Sequence, residues 1–223
     1  PVKETYSSGK NWGLMAFALF GATAPEGVIW YTGQFYALVY LTSVLGAANY
    51  PTTYTIMMVA LTLGSVGFIF FGWLSDRVGR RPIMCTGFAL AVITYWPVFT
   101  GFSAFKDSPV ILTLLVFYLV ILVTMVYGPI AAFLVELFPA RIRYSSMSMP
   151  YHIGNGWFGG GVPFIGTLIS GATGIALGGL IYPMVVSAIG VVVSLGFLRE
   201  PTHHIRIWDE VGGGAPPLVP DQP

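Results

Sequence analysis

Charged residues are scarce in this chain of 223 residues. Asp, Glu, Lys and Arg together make up 9% of it, whereas a soluble domain carries about 25%. Because so few charges cannot cover a surface that faces water, we expect lipid to be the main solvent of the chain, in line with its 55% hydrophobic residues. The formal net charge of +1 gives no reason to expect a nucleic acid as a partner.

Cysteine and the motifs of enzymes are also missing from the sequence. Cys85 is the single cysteine, so no disulfide can form within the chain. No GxxxxGK[ST] phosphate-binding loop is present, which argues against an ATP-driven pump, and no histidine or cysteine cluster has metal-ligand spacing. A serine elbow and paired catalytic carboxylates are absent as well. We therefore predict that the protein is not an enzyme and uses no cofactor or metal.

The start of the chain is polar from Pro1 to Glu4, and the first apolar run does not end in a cleavage site. We therefore predict no signal peptide. Because the sequence begins with Pro1 rather than Met, either an initiator Met was trimmed or the sequence is a piece of a longer protein.

Long apolar runs dominate the rest of the chain, and six of them reach the length of about 20 residues that a helix needs to cross a bilayer core. The first is long enough to require a kink or a strong tilt, and Pro25 and Gly27 near its middle favour a kink. Membrane strands are shorter and alternate in polarity, so we predict helices. The six predicted spans are Trp12 to Leu45, Thr52 to Leu74, Ile83 to Ala104, Pro109 to Val135, Met147 to Ile169 and Ile175 to Leu198.

The basic residues predict the orientation of these spans. If Lys3 and Lys10 lie in the cytoplasm, six crossings place nine basic residues inside and only Lys106 outside, which is a strong positive-inside bias. We therefore expect both termini in the cytoplasm and the protein in the cell inner (plasma) membrane. The other seven basic residues on the inside are Arg77, Arg80, Arg81, Arg141, Arg143, Arg199 and Arg206.

Three parts follow from this pattern: a cytoplasmic linker at 1–11, a six-helix transmembrane domain at 12–198 and a cytoplasmic tail at 199–223. The tail is polar and ends in GGGAPPLVPDQP. Because it cannot bury enough apolar surface to fold, we predict that it is disordered.

The turn between the second and third predicted spans concentrates four charges within six residues. Arginines that only fix the topology would account for Arg80 and Arg81, but not for Asp76 or for two flanking glycines. The pattern Gly-x-x-x-Asp-Arg-x-Gly-Arg-Arg-Pro resembles the conserved loop signature of the major facilitator superfamily. Its residues are Gly72, Asp76, Arg77, Gly79, Arg80, Arg81 and Pro82.

Two further stretches are similar to the metabolite:proton symporter family of that superfamily: VIWYTGQFYAL (Val28 to Leu38) and ELFPARIRYSSMSMPYHIGNGWFGG (Glu136 to Gly160). Members of this family take up small organic acids and zwitterions. The resemblance covers about residues 10 to 200 and implies an all-α integral membrane fold. It matches the C-terminal six-helix half of a major-facilitator transporter, built as two inverted three-helix repeats. The resemblance thus implies a missing N-terminal half, and favours a fragment over a trimmed Met.

The resemblance also implies a cytoplasmic gate at the charged turn. Asp76 would pair with basic and helix-end groups of a neighbouring helix and latch the cytoplasmic side while the pore faces outward. Glu136, with Arg141 and Arg143, is expected to form a second cytoplasmic cluster. The two arginines would also be explained if they only hold this loop on the cytoplasmic side of the membrane.

Inside the predicted spans the sequence offers one acid. Glu26 lies well within the first span, and an ionisable residue inside a membrane is a functional candidate by default. Trp30 and Gln34 follow at four and eight residues and share its helix face, with Tyr31 beside them. Glu26 could carry the coupled proton or bind a cationic group of the substrate. It could instead be hydrated near the outer surface of the membrane, with no role in transport. The family commonly has glutamine here, which weakens the proton-carrier reading.

The fifth span contains YHIGNGWFGGG. His152 can exchange a proton near physiological pH or cap loop carbonyls, and Asn155 can hydrogen-bond a carboxylate substrate. Helical spacing places both on one face with Gly156 and Gly159, and Gly156 with Gly160 predicts a small-xxx-small contact between helices. Trp157 is a candidate for lining the pathway.

We predict secondary active transport of a small polar metabolite, an organic acid or a zwitterion, coupled to protons by alternating access. The alternatives are an uncoupled or sugar-type facilitator and a transporter remnant that does not transport. The expected partners are the substrate and protons, the lipid bilayer, and the missing N-terminal six-helix half or a second copy of the chain.

Overall fold

The computed structural model describes residue 6 and residues 9–46, 49–139 and 142–197, and these residues contain helices and no strand. The fold class predicted from composition, all-α and membrane-embedded, is confirmed. The predicted tail at 199–223 lies outside the described residues. The helices are α1 (Gly9–Val44), α2 (Tyr50–Val78, with a turn at Ser65), α3 (Arg80–Ala104), α4 (Pro109–Leu137), α5 (Arg143–His152), α6 (Val162–Thr173) and α7 (Ile181–Phe197).

Five helical stretches in the described part of the chain are long and apolar enough to cross a membrane. They correspond to five of the six predicted spans. The remaining one, predicted at Met147 to Ile169, is helical but differs from the others in two respects. Its first helix, α5, has the polar sequence RYSSMSMPYH, and a turn at Gly160 and Gly161 separates the helical segment after α5 from α6. The predicted inverted repeats stay a prediction.

Helix α4 packs against α2, α3 and the middle of α1. Its mean hydropathy is 2.8, the highest of the five spans. Leu122, Val123 and Val126 on α4 are fully buried. Because α4 is apolar on every side, one side can pack against these helices while the other faces lipid.

Stretches of π-helix interrupt regular α-helix at four places. Three lie within α1, at Leu19–Thr23, Thr32–Tyr36 and Tyr40–Val44, and the fourth, Ile153–Gly159, continues α5. We call the last one the α5 π segment. The first π stretch ends just before Pro25, which lacks the N–H that an α-helix requires at that position. Near the middle of the first span, where a kink was predicted, the structure thus has a π stretch.

The charged turn, the end of α4 and the end of α7 lie at the same end of the bundle. An ion pair joins Arg80 to Glu136 with an N–O distance of 3.1 Å, and Arg81 Nη2 donates to Leu195 O over 2.8 Å. Lys106 follows α3, whose 25 residues extend about 37 Å. Lys106 therefore lies at the opposite end, as the alternation of the predicted spans requires.

Gly79 makes the tight connection between α2 and α3 possible. Its φ is 107° and its ψ is 147°, a backbone conformation that side-chain-bearing residues rarely adopt. With Gly79 in this conformation, α3 begins at the next residue, so Asp76 and Arg80 come within reach of each other.

Gly79→Ala is expected to destabilise the fold by about 1–3 kcal/mol, the usual cost of a strained backbone conformation. The measurement is the thermal unfolding midpoint in detergent. The control is Gly13→Ala in α1, where a Cβ meets no atom within 4 Å and the higher helix propensity of alanine favours the variant. Equal midpoints for the two variants would contradict the conformation described for Gly79.

Candidate functional site

Glu26 lies at the contact between α1 and the α5 π segment. Its side chain is fully buried, and Asn155 Nδ2 donates to Glu26 Oε2 over 2.9 Å. The same Asn155 nitrogen lies 3.3 Å from Tyr151 O. The sequence singled out Glu26 and Asn155 separately; the structure brings them together across 129 residues of chain.

The second carboxyl oxygen of Glu26 is Oε1, which is buried and has no hydrogen-bond partner among the described residues. An incompletely bonded carboxylate is costly in a low-dielectric interior. A proton bound to Glu26 removes that cost, and so does a cationic group placed beside Oε1. The geometry therefore suits exchange of a proton or contact with a positively charged group.

Glycines bring the two segments into backbone contact around Glu26. A Cβ added to Gly27 would lie 2.6 Å from Gly154 O, and one added to Gly159 would lie 2.9 Å from Gly27 C. Beside them, Thr23 Oγ1 donates to Pro150 O over 2.7 Å. Because no side chain separates the backbones, Asn155 is close enough to bond a carboxyl on the facing helix.

The glycines that form this contact are not the predicted ones. Gly154 and Gly159 face α1, whereas Gly156 is exposed and a Cβ there would meet nothing within 4 Å. The predicted Gly156–Gly160 contact was therefore wrong. The physical reason is the π-helix, in which residues five apart share a face; the prediction assumed the spacing of an α-helix.

The same change of register separates other predicted residues. His152 and Trp157 are exposed, and Trp157 retains 80% of its accessible surface, while Asn155 points to Glu26. The expectation that His152, Asn155 and Gly156 share one face with Gly159 was wrong for the same reason. His152 lies at the end of α5, the last residue before the α5 π segment.

Aromatic side chains surround Trp30, which lies one helix turn after Glu26 on α1. The ring of Trp30 lies 4.6 Å from that of Tyr127 on α4 and 6.2 Å from that of Phe68 on α2. The hydroxyls of Tyr127 and Tyr151 are 2.8 Å apart. Sequence reasoning missed Phe68 and Tyr151; Tyr151 could have been found from its position four residues before Asn155.

The remaining predicted residues of α1 lie beyond this aromatic group. The ring of Tyr31 stacks on that of Phe35 at 5.2 Å and packs against Gly159. Gln34 is half-buried in the second π stretch, Thr32–Tyr36. Because this stretch changes the helical spacing, Gln34 is not aligned with Glu26 and Trp30 as an α-helix would place it.

At the charged end of the bundle, Arg80 is the central residue. It forms ion pairs with Asp76 and with Glu136, the latter at 3.1 Å, and its Nη1 donates to Ser75 Oγ over 2.8 Å. The side chains of Arg80 and Glu136 are 15% and 19% exposed, against 59% for Asp76. Arg80 thus joins the two clusters that the sequence analysis described separately.

The other predicted gate residues lie around Arg80. Arg77 stacks on the ring of Trp73 at 4.1 Å, and Arg143 Nε donates to Phe138 O over 3.0 Å. Gly72 lies against α4: a Cβ added to Gly128 would come within 3.2 Å of Gly72 N. Arg141 lies outside the described residues.

No group of three or more His, Cys, Asp and Glu side chains that could hold a metal ion occurs in the part of the chain that the structure describes. Around Glu26 the described residues provide a buried carboxyl group, hydroxyl and amide hydrogen bonds, and aromatic rings.

Comparison with known proteins identifies a family model that matches residues 4–199, described as sugar (and other) transporter. The ectoine/proline transporter ProP of Corynebacterium glutamicum is 31% identical over 84% of this chain and 36% of its own length. The citrate-proton symporter of Salmonella typhi is 31% identical over 53% of this chain and 28% of its own. The alpha-ketoglutarate permease of Escherichia coli is 29% identical over 66% and 34%, respectively. No solved structure matches.

The chain thus spans about a third of the length of these relatives. The apolar helices and the family model together support a multi-pass membrane protein.

Gly27→Ala is expected to force α1 and the α5 π segment apart and to destabilise the fold by about 1–3 kcal/mol, the usual cost of overpacking. Gly156→Ala is the matched control, because a Cβ there meets open space. The measurement is the thermal unfolding midpoint of both variants in detergent. If Gly156→Ala lowered the midpoint as much as Gly27→Ala, the π register described above would be wrong.

Proposed function

Because the chain belongs to the sugar (and other) transporter family of the major facilitator superfamily, we propose that it forms part of a proton-coupled secondary transporter. Its substrate is a small polar metabolite, an organic acid or a zwitterion. Two of the relatives have names that fit this proposal, a citrate-proton symporter and an ectoine/proline transporter. Transport proceeds by alternating access, in which a site near the middle of the membrane opens to one side at a time.

The observation that supports proton coupling most directly is the contact of Glu26 with Asn155. Glu26 is buried, and one carboxyl oxygen is bonded while the other has no partner within the described part of the chain. When the carboxyl gains or loses a proton, the charge at the contact between α1 and the α5 π segment changes. Movement of these helices is therefore linked to the protonation of Glu26, as coupled transport requires.

The surroundings of Glu26 also support a polar substrate. Trp30, Tyr127 and Tyr151 are partly exposed and present aromatic faces and two hydroxyl groups next to Glu26. Rings of this kind can pack on the apolar part of a small molecule or on a cationic group, and hydroxyls can bond a carboxylate. Both an organic acid and a zwitterion fit this combination.

The charged end of the bundle acts as the cytoplasmic gate in this proposal. The Asp76–Arg80–Glu136 group is joined to three helices, so it closes that end when formed. Asp76 is the most exposed of the three, so its carboxylate can also reach a basic group in the rest of the transporter. Such a gate must break in each cycle, which suits ion pairs of about 1–3 kcal/mol.

The partner in this proposal is a second six-helix unit. Relatives are about three times longer than the matched part, and the substrate of such folds lies between two halves. Helix α2 is the least buried of the five spans, so it leaves a broad apolar face for that unit or for lipid. A second copy of the chain is the other candidate partner.

We further propose that the protein lies in the inner membrane with both termini in the cytoplasm. The positive-inside bias of the basic residues supports this orientation.

Glu26→Gln is expected to abolish proton-driven accumulation, because glutamine keeps the hydrogen bond to Asn155 but exchanges no proton. The measurement is substrate uptake by the full-length protein in proteoliposomes with an imposed pH gradient, using proline, ectoine, citrate and α-ketoglutarate as probes. We expect accumulation to fall at least tenfold while exchange of substrate across the membrane continues.

The control for this experiment is Asp107→Asn, which removes a carboxylate from the exposed connection between α3 and α4. It should leave accumulation within twofold of the unmodified protein. Proton-driven accumulation by Glu26→Gln would refute the role of Glu26, and uptake that a protonophore does not affect would identify an uncoupled facilitator. Sugar-type transport is tested by adding D-xylose to the probes.

Arg80→Ala is expected to lower the transport rate at least tenfold, because it breaks both ion pairs of the gate and leaves Glu136 without its 3.1 Å partner. Arg77→Ala removes one positive charge from the same turn but only an exposed stacking contact, and should retain more than half of the rate. Initial uptake rates in proteoliposomes provide the measurement. Equal losses in both variants would mean that the arginines act only as positive charges that fix the topology.

A further inference from the structure

The helix turn that precedes Glu26 is held by a side chain from α7. Pro25 has no N–H, so the carbonyl oxygen of Gly21, four residues earlier, has no α-helical partner. Ser194 Oγ donates to Gly21 O over 2.6 Å, and this bond is buried. The hydroxyl thus bonds a carbonyl oxygen to which Pro25 cannot donate.

The shape of α7 fits this irregular turn. Gly190, one turn before Ser194, packs directly against the ring of Pro25, and a Cβ at Gly190 would also lie 3.3 Å from Phe88. On the opposite side, Thr23 Oγ1 donates to Pro150 O. The turn that carries Glu26 is therefore fixed from two sides, by α7 and by the end of α5.

The residue after Ser194 connects α7 to the charged turn. Arg81 Nη2 donates to Leu195 O in the last turn of α7, where helix carbonyls lack backbone partners and a cation is favourable. Arg81 directly follows Arg80, which holds Asp76 and Glu136. Cys85, one turn further along α3, lies within hydrogen-bonding reach of both Ser194 and Arg81.

We propose that the last turn of α7 couples the charged turn to Glu26, with Ser194 as the positioning residue for the helix turn that carries Glu26. The proposal rests on the proposed function in taking Glu26 as the proton-exchanging group. When the ion pairs of Arg80 break, Arg81 moves with the start of α3. Leu195 and Ser194 then shift together, and the bond to Gly21 changes the position of Glu26 relative to Asn155.

The groups around Glu26 are consistent with control through α7. The α5 side brings Asn155 and the titratable hydroxyl of Tyr151 to it, and Tyr127 of α4 bonds to Tyr151. Helix α7 contains no charged residue between Ile181 and Phe197. Its influence on Glu26 must therefore act through position and not through charge.

The first test is Ser194→Ala in the full-length protein. Ser187→Ala is the matched control, because Ser187 is also buried on α7, seven residues earlier, and its hydroxyl has no partner among the described residues. Ser194→Ala should move the midpoint of the pH profile of uptake by at least about half a unit, roughly a threefold change in proton affinity. Ser194→Thr, which keeps the hydroxyl, should restore it, and Ser187→Ala should leave it unchanged.

The second test uses Cys85 as a natural probe and needs no transport. Any cysteine in the rest of the protein is replaced by serine, and labelling by N-ethylmaleimide is followed at one fixed pH. Ser194→Ala removes a group beside Cys85, so it serves here only as the background in which Glu26→Gln is compared. Because coupling between two sites is reciprocal, Glu26→Gln should change the labelling rate about threefold where Ser194 is present and leave it unchanged in the Ser194→Ala background.

The outcomes separate the two proposals. If Glu26→Gln leaves the pH profile of uptake unchanged, the proton-coupled function fails, and Cys85 labelling still decides whether α7 links the two sites. If Glu26→Gln leaves the labelling rate unchanged with Ser194 in place, or if Ser187→Ala has the effect of Ser194→Ala, the coupling through α7 is refuted.

Discussion

The backbone contact between α1 and the α5 π segment is the constraint on which the rest of the site depends. Gly27, Gly154 and Gly159 remove the side chains that would hold the two helices apart, and this close approach places Asn155 on Glu26. Burial of Glu26 follows from the same contact, because water has no room between the backbones. The chemistry of the site thus arises from packing at glycines as much as from the acid itself.

The two functional regions differ in how they are built. The charged turn relies on ion pairs at the end of the bundle, where Gly79 lets Asp76 and Arg80 meet. The Glu26 site relies on irregular helix, in which hydroxyl groups bond backbone carbonyls of neighbouring segments: Ser194 bonds Gly21, and Thr23 bonds Pro150. Ion pairs separate and re-form easily, whereas buried hydroxyl bonds keep a definite geometry, so one region suits a gate and the other a precisely placed group.

Composition and loop motifs were sufficient to predict the helical membrane fold and the superfamily, and both predictions were confirmed. Apolar length and the loop pattern from Gly72 to Pro82 are properties of sequence alone. The register of the α5 π segment was not predictable in this way, because α- and π-helix differ by one residue per hydrogen bond and no local signal in IGNGWFG distinguishes them. For the same reason the residues of the Glu26 site were found singly, but the faces on which Gly156 and Gly159 lie were not.

The glycine contact also restricts how proteins of this kind can diversify. At Gly27 and Gly154 any side chain would collide with the facing backbone, so substitutions there destabilise the fold. Trp157 is exposed and Gln34 is half-buried, and neither forms this contact. If the chain transports as proposed, changes of substrate preference should therefore arise at such outer positions, while the glycines stay fixed.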